Sequence, residues 1–204
     1  MIFKSNTTVK DVFDIVYGTT DIPDYAELTG EIKLKNIVMW INEVEQMIYD
    51  DFIKNPVTAK YTAFPVQITG NSSGANFDFR DIMRVFEYEH ELARGSGNTL
   101  VPHSYYVYSD SSGNQFLDIF PKQEYVTEIT VIYNNRPAPK TVNGAATEYI
   151  MLPDEWVRLT ICYCKAKQCA LFSDSETENR FVNEYNTLIE DFKTWIDTHC
   201  NSTF

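Results

Sequence analysis

Long apolar runs are missing from this sequence. No stretch approaches the roughly 18 consecutive apolar residues that a membrane-spanning helix needs. The N-terminus, MIFKSNTTVK, also lacks the apolar segment of a secretory signal peptide. Apolar residues still make up 44% of the 204 residues, which is enough for a buried core. We therefore expect a globular protein without a membrane segment, which stays in the cytoplasm that made it.

Basic residues are also scarce. The chain has 17 Lys and Arg against 29 Asp and Glu, which gives a formal net charge of −12. Sequence-independent binding to DNA or RNA depends on Lys and Arg that neutralise phosphates. The acids are scattered, with SDSETE as the one short cluster. The balance of charge argues against a protein that grips nucleic acid.

Cysteines are few, and three of the four lie in one stretch, LPDEWVRLTICYCKAKQCALF. The stretch has helical spacing, so Cys162 and Cys164 are separated by about 200° around the axis. Cys169 shares a face with Cys162 but lies roughly 10 Å further along. No two of these thiols can converge on one metal ion, and no second ligand pair is present. We expect them to be reduced and to act as small packing residues.

Recognisable catalytic motifs are lacking too. The histidines His90, His103 and His199 have no nucleophile or acid partner close to them in the sequence, and no G-x-S-x-G motif occurs. The stretches GNSSGA and ARGSGN are not phosphate-binding loops, because no Lys-Ser or Lys-Thr follows a glycine in the required way. The sequence predicts no catalytic residue, no cofactor and no metal ligand.

What the sequence does contain is helical periodicity at both ends. The first helix is predicted at TTVKDVFDIVYG, where Thr8 and Asp11 resemble a capping box. A longer helix, apolar on two sides, is predicted between Glu31 and Pro56. The cysteine-containing helix starts at Pro153, and a final helix follows a capping box of Ser175 and Glu178.

The middle of the chain has the two-residue period of strands. Strands are predicted in FPVQIT, MRVFEYE, TEITVIYNNRP and TEYIML, and as a hairpin in SYYVYSDSSGNQFLDIFP. Because the two helical pairs would leave their apolar stripes exposed if each stood alone, we expect all four helices to pack together. The predicted fold is α+β: a four-helix core from residues 1–60 and 151–204, with a mostly antiparallel β region inserted at 61–150.

Three stretches resemble one known family. They are ELTGEIKLKNIVMWINEVEQMIYDDF, with its phrase Trp40, Asn42, Glu43; FLDIFPKQEYVTEITVIYNNRPAP; and YIMLPDEWVRLTICYCKAKQCALFSDSETENRFVNEYNTLIEDF. Together they resemble the head-to-tail connector proteins of tailed bacteriophages, the adaptor or head-completion rings beneath the portal in short-tailed phages. A ring protein of a crAss-like phage is a closer possibility within that group.

This resemblance implies a structural virion protein at the head–tail junction. It implies a homo-oligomer, usually a dodecameric ring, which binds the portal protein on one side and tail or further ring proteins on the other. DNA passes through such a ring without tight binding, so we expect acids to face the lumen. The candidate lumen-facing acids are Asp21, Asp24, Glu27, Asp174, Glu176 and Glu178. The candidate portal-binding tail is His199, Cys200, Asn201, Ser202, Thr203 and Phe204.

Two other classes of function remain open at this stage. One is a small ligand-binding or adhesion module built on the β region, whose Tyr-rich strand SYYVYS would stack on a ligand. The other is a hydrolase whose site forms only in three dimensions. The binding module predicts a monomer or dimer with a pocket, whereas a connector predicts a ring, so the mass of the oligomer separates these classes.

Overall fold

A computed structural model describes residues 3–18, 28–53, 56–62, 65–68, 81–95, 101–121, 128–135 and 137–199. Within these ranges the chain has four α-helices and two four-stranded, mostly antiparallel sheets, so the predicted α+β class is confirmed. The candidate residues Asp21, Asp24 and Glu27, and the tail residues Cys200–Phe204, lie outside the described residues.

The chain divides into two compact units. One, the helical unit, comprises Met1–Ile53 and Pro137–Phe204, and the other, the β unit, comprises Lys54–Arg136. The sequence analysis grouped residues 137–150 with the insertion, but here they belong to the helical unit. Backbone amides of Val9 and Lys10 donate to the carbonyls of Glu148 and Ala145, which ties this segment to the first helix.

The helical unit contains all four helices. They are α1 (Val9–Gly18), α2 (Gly30–Asp51), α3 (Val157–Leu171) and α4 (Ser175–His199), and one turn of 3₁₀ helix (Asp154–Trp156) precedes α3. The predicted capping box of α1 is present: the Asp11 carboxylate accepts from the Thr8 amide at 2.8 Å, and the Asp11 amide donates to the Thr8 hydroxyl at 3.1 Å. Thr29 caps α2 in the same way, through the amide of Ile32.

The turn between α3 and α4 differs from the predicted one. Ser173 has a φ of 57°, its amide donates to Ala170, and the amide of Asp174 donates to Cys169, which is the hydrogen-bond pattern of a Schellman motif. Asp174 then caps α4, because its carboxylate accepts from the amide of Thr177. The N-cap is therefore Asp174 rather than Ser175, and α3 and α4 form a tight antiparallel pair.

The β unit contains two sheets. Their strands are β1 (Pro56–Tyr61), β2 (Val66–Gln67), β3 (Ile82–Glu87), β4 (His90–Glu91), β5 (Ala93–Arg94), β6 (Ser104–Ser109), β7 (Gln115–Phe120) and β8 (Ile129–Asn134). One sheet has the order β1-β8-β3-β4 and the other β2-β7-β6-β5, and among these neighbours only β5 and β6 run parallel. The predicted strand TEYIML is wrong, because within it only Tyr149 makes an isolated bridge, to Thr8.

Each unit has its own core. In the helical unit, apolar side chains from all four helices form one buried cluster that includes Val12, Ile41, Leu159 and Phe192. In the β unit, a separate cluster includes Val85, Leu117 and Val131. No helix in the described part of the chain is both long enough and apolar enough to cross a bilayer.

Candidate functional site

A charged groove runs along the α3–α4 pair. It encloses about 680 Å³ and is lined by Thr7, Asp154, Val157, Arg158, Ile161, Cys162, Lys165, Arg180, Phe181 and Glu184. We call it the cationic groove, because three of its lining side chains are basic and two are acidic. Its lining therefore has a small excess of positive charge, in a chain of net charge −12.

Both carboxylates of the cationic groove are already engaged. Glu184 forms an ion pair with Arg158, with 2.6 Å from the Arg158 Nε to the carboxylate oxygen. Asp154 accepts from the backbone amide of Asn6 at 2.7 Å and from its side-chain amide at 2.6 Å. These acids therefore do not neutralise the other two cations of the groove.

Lys165 and Arg180 converge on one aromatic ring. The Lys165 ammonium lies 5.2 Å from the centroid of Phe181, and the Arg180 guanidinium carbon lies 4.7 Å from it. These are cation–π distances. Lys165 is only 8% exposed, although its side chain lines the groove. Neither cation has a carboxylate partner among the described residues.

The thiol in the groove is unreactive. Burial, followed by the nearby Glu184 carboxylate, raises the pKa of Cys162 to about 12. Burial also raises the pKa of Cys164 and of Cys169. Because the thiolate is the nucleophilic form, none of the three is poised for covalent chemistry near neutral pH. All three are free and buried, on a helix that is packed against α1, α2 and α4.

A second groove lies along different positions of the same two helices. It encloses about 380 Å³ and is lined by Tyr163, Ala166, Lys167, Ala170, Glu178, Val182, Tyr185 and Asn186. The rings of Tyr163 and Tyr185 are 5.5 Å apart and tilted, which is a favourable aromatic pair. We call it the tyrosine groove, and it shares no residue with the cationic groove.

Helix α2 continues the surface next to the tyrosine groove. Lys167 forms an ion pair with Glu43 at 3.0 Å, and the Tyr163 hydroxyl lies 3.9 Å from the sulfur of Met47. Two apolar side chains of α2 and α3 are open to solvent: Met39 is 56% exposed and Leu171 is 54% exposed.

The described candidate acids have separate roles. Asp174 is the N-cap of α4, and Glu176 is exposed in its first turn. Glu178 is half-buried and lines the tyrosine groove. None of the three thus lies in a free loop, and Glu176 is the one that is exposed.

The histidines are dispersed. His90 lies in β4 and His103 in a turn with a φ of 60°, whereas His199 is the last residue of α4. The His199 ring stacks on Trp195 at 5.0 Å, so this residue belongs to the helix and not to the tail that follows it. Among the described residues, no group of three or more His, Cys, Asp or Glu is placed to hold a metal ion.

Sequence reasoning missed the cationic groove. Lys165 and Arg180 are 15 positions apart, and nothing in the sequence shows that a turn at Ser173 will bring them to one ring. A signal was nevertheless present, because Lys165 lies on the same helical face as Cys162 and Cys169, where an apolar residue is expected.

Comparison of the sequence with models of known protein families gives no match, and comparison with curated proteins gives none. The argument for function therefore depends on the surfaces described above and on the resemblance in the sequence.

Proposed function

We propose that this protein is a structural subunit of a ring at the head–tail junction of a tailed bacteriophage. In this role it assembles with copies of itself, usually as a dodecamer, and joins the portal protein to tail or further ring proteins. The genome passes through the ring during ejection. The resemblance to connector proteins provides the biological context of the proposal.

The observation that carries the proposal is the pair of distinct surfaces on α3 and α4. A closed ring is built from head-to-tail contacts, in which each subunit uses two different surfaces. The cationic groove and the tyrosine groove share no residue and differ in chemistry, one charged and one largely apolar.

The charge of the chain supports passage of DNA through such a ring. Each Lys or Arg that touched a phosphate would add an attachment and slow the moving duplex. A net charge of −12 disfavours that attachment over most of the surface. Exposed acids such as Glu176 are the groups expected to line the passage.

The mass and shape of the purified protein test the proposal. We would measure sedimentation velocity and record negative-stain images of the protein alone and mixed with the portal protein of the same phage. Annular particles, with the mass of a dodecamer, are expected in at least one sample. A protein that stays monomeric or dimeric in both samples would contradict a ring.

A second function has one observation in its favour. On one face of the β6–β7 hairpin, the rings of Tyr106 and Tyr108 stack at 5.9 Å and those of Tyr108 and Phe116 at 5.4 Å. A row of aromatic rings can stack on sugars or other flat ligands, which is what an adhesion module needs. Binding to a glycan array that is lost in Tyr108→Ala, by a protein that forms no ring, would favour this alternative.

A further inference from the structure

Lys165 carries a positive charge with no carboxylate partner among the described residues. Its side chain is only 8% exposed yet lines the cationic groove, and its ammonium lies 5.2 Å from the centroid of Phe181. When the aliphatic stem of a lysine is packed, the charged head is held where the stem ends. The ammonium is therefore positioned at the groove, where it can gain an anionic partner at little further cost in side-chain entropy.

The surroundings of Lys165 are open enough for that partner. The cationic groove has room, about 680 Å³, for several side chains of another molecule. Arg180, which is exposed on the same groove, adds a planar guanidinium that can hold a carboxylate through two hydrogen bonds. The Lys165 ammonium and the Arg180 guanidinium thus offer two neighbouring donors for one acidic segment.

We propose that the cationic groove binds an acidic segment of a second copy of this chain. Charge complementarity identifies the partner: the chain carries 29 acidic and 17 basic residues, so a second copy offers an excess of carboxylates to this groove. The carboxylates of the groove itself, on Glu184 and Asp154, are held by Arg158 and Asn6 and do not compete for the site.

Phosphates of duplex DNA are a poorer fit to the same two donors. A duplex approaching the groove meets the repulsion of a chain with net charge −12, and two unpaired cations make too few phosphate contacts to overcome it. The carboxylates of one acidic segment, by contrast, can be bound by these two cations alone. The inference names the partner of a surface used in the proposed function, and it therefore rests on that function.

A contact between a cationic groove and an acidic segment joins two different surfaces. Copies joined in this way extend head to tail and close into a ring when the rotation between them allows it. A subunit with a damaged groove keeps its acidic segment, so it can still occupy the groove of a normal neighbour. It then stops further addition at its own groove.

Two groove variants and one matched control test this contact. Arg180→Glu reverses an exposed charge, and Lys165→Met removes the charge of Lys165 while keeping a long apolar side chain. Lys35→Glu is the control, because it makes the same charge change as Arg180→Glu at an exposed position on α2 that pairs with Glu31. Far-UV circular dichroism verifies that each variant is folded before assembly is measured.

Assembly would be measured by sedimentation velocity over a series of protein and salt concentrations. We expect both groove variants to require at least about a tenfold higher protein concentration for assembly than wild type. Lys35→Glu should assemble like wild type, and added salt should weaken wild-type assembly. Folded groove variants that assemble like wild type would overturn the inference and leave the ring standing. A wild-type protein that assembles neither alone nor with the portal protein would overturn both.

A mixing experiment separates loss of one surface from general damage. When a few tenths of the subunits are Arg180→Glu protein, the yield of complete rings should fall by more than the smaller amount of wild-type protein explains. Lys35→Glu at the same ratio should join the rings without loss. Variant protein that is excluded from assemblies would contradict a head-to-tail contact through the groove. Duplex DNA that binds wild type but not Arg180→Glu would identify phosphate as the ligand and also overturn the inference.

Discussion

The carboxylate of Glu45 lies 3.2 Å from the ammonium of Lys140, and both side chains are almost fully buried. Glu45 also accepts a 2.7 Å hydrogen bond from the amide of Met151. Asn42, one turn earlier on α2, holds the backbone of Lys140 through both its amide and its carbonyl. These contacts fix the segment that leads from the β unit back to α3 against the middle of α2.

The first prediction concerns this buried pair. Glu45→Gln keeps the acceptor for Met151 but leaves the charge of Lys140 unpaired, so we expect a loss of about 3–5 kcal/mol in the free energy of unfolding of the helical unit. The double variant Glu45→Gln/Lys140→Met should be more stable than Glu45→Gln, because it buries no unpaired charge. Chemical denaturation followed by circular dichroism measures both. If the single and double variants lost the same free energy of unfolding, the unpaired charge of Lys140 would not be the cause of the loss.

The second prediction is a pH dependence. Burial raises the pKa of Glu45 above its ordinary value in spite of Lys140, so removing the lysine should raise it further. An acid with a raised pKa in the folded state contributes its stability below the unfolded pKa and loses it as the pH rises through the folded value. Lys140→Met should therefore be least destabilising near pH 4 and increasingly so toward pH 7. Glu45→Gln/Lys140→Met, which lacks the acid, should show no such trend.

The third prediction is that the cysteines of α3 are packing residues. Cys164→Ala should cost about 1–2 kcal/mol for the small cavity, and Cys164→Ser should cost more because its hydroxyl has to be buried. Replacing Cys162 and Cys164 together should leave the metal content unchanged. In native protein near pH 8, Cys162, Cys164 and Cys169 should resist alkylation and react only after denaturation. Stoichiometric zinc, or rapid native alkylation at Cys162, would contradict this.

The fourth prediction concerns Ser173, the non-glycine residue with positive φ between α3 and α4. Its left-handed conformation is costly for a residue with a Cβ and ordinary for glycine. Ser173→Gly should stabilise the helical unit by about 0.5–1 kcal/mol, whereas Ser173→Ala keeps the strain and should give no gain. Thermal unfolding followed by circular dichroism compares the two. A destabilised Ser173→Gly protein would mean that the serine has a further contact.

The fifth prediction concerns the effect of the protein's acidic charge on passage of the genome. Wild-type protein should show no measurable binding to duplex DNA near physiological salt. Glu176→Lys is the sharpest variant, because Glu176 is exposed while Asp174 caps α4 and its loss would disturb the fold. Phage carrying Glu176→Lys should assemble normally and eject its genome more slowly. Tight DNA binding by wild type, or a ring lined by Lys and Arg, would contradict the proposal.

The sequence predicted what short-range patterns encode. Three such features are present: the capping box of Thr8 and Asp11, the apolar face of α4, and the β6–β7 hairpin around Gly113. Each depends on residues that lie close together in the sequence. The α4 cap was wrong by one residue, because two serines and an aspartate compete at that turn and the Schellman bonds decide between them.

Contacts between distant residues could not be predicted. Asn42 and Lys140 are 98 positions apart, and Glu45 and Met151 are 106 apart. No periodicity links such pairs, so residues 137–150 were grouped with strands although their partners are on α1 and α2. The cationic groove was missed for the same reason, since it exists only once α3 and α4 have folded against each other.

The division of the chain has a consequence for its synthesis. Residues Lys54–Arg136 contain both strands of every pair in the β unit, so all its pairing partners emerge from the ribosome before α3 does. Helices α1 and α2 emerge earlier, yet α3, α4 and the segment around Lys140, which pack against them, follow the whole insertion. The apolar faces of α1 and α2 therefore stay uncovered during translation until the last third of the chain emerges. A chaperone that shields helical apolar surface would act in that interval, and a nascent chain stalled just after residue 136 has left the ribosome would carry a folded β unit and an unfinished helical one.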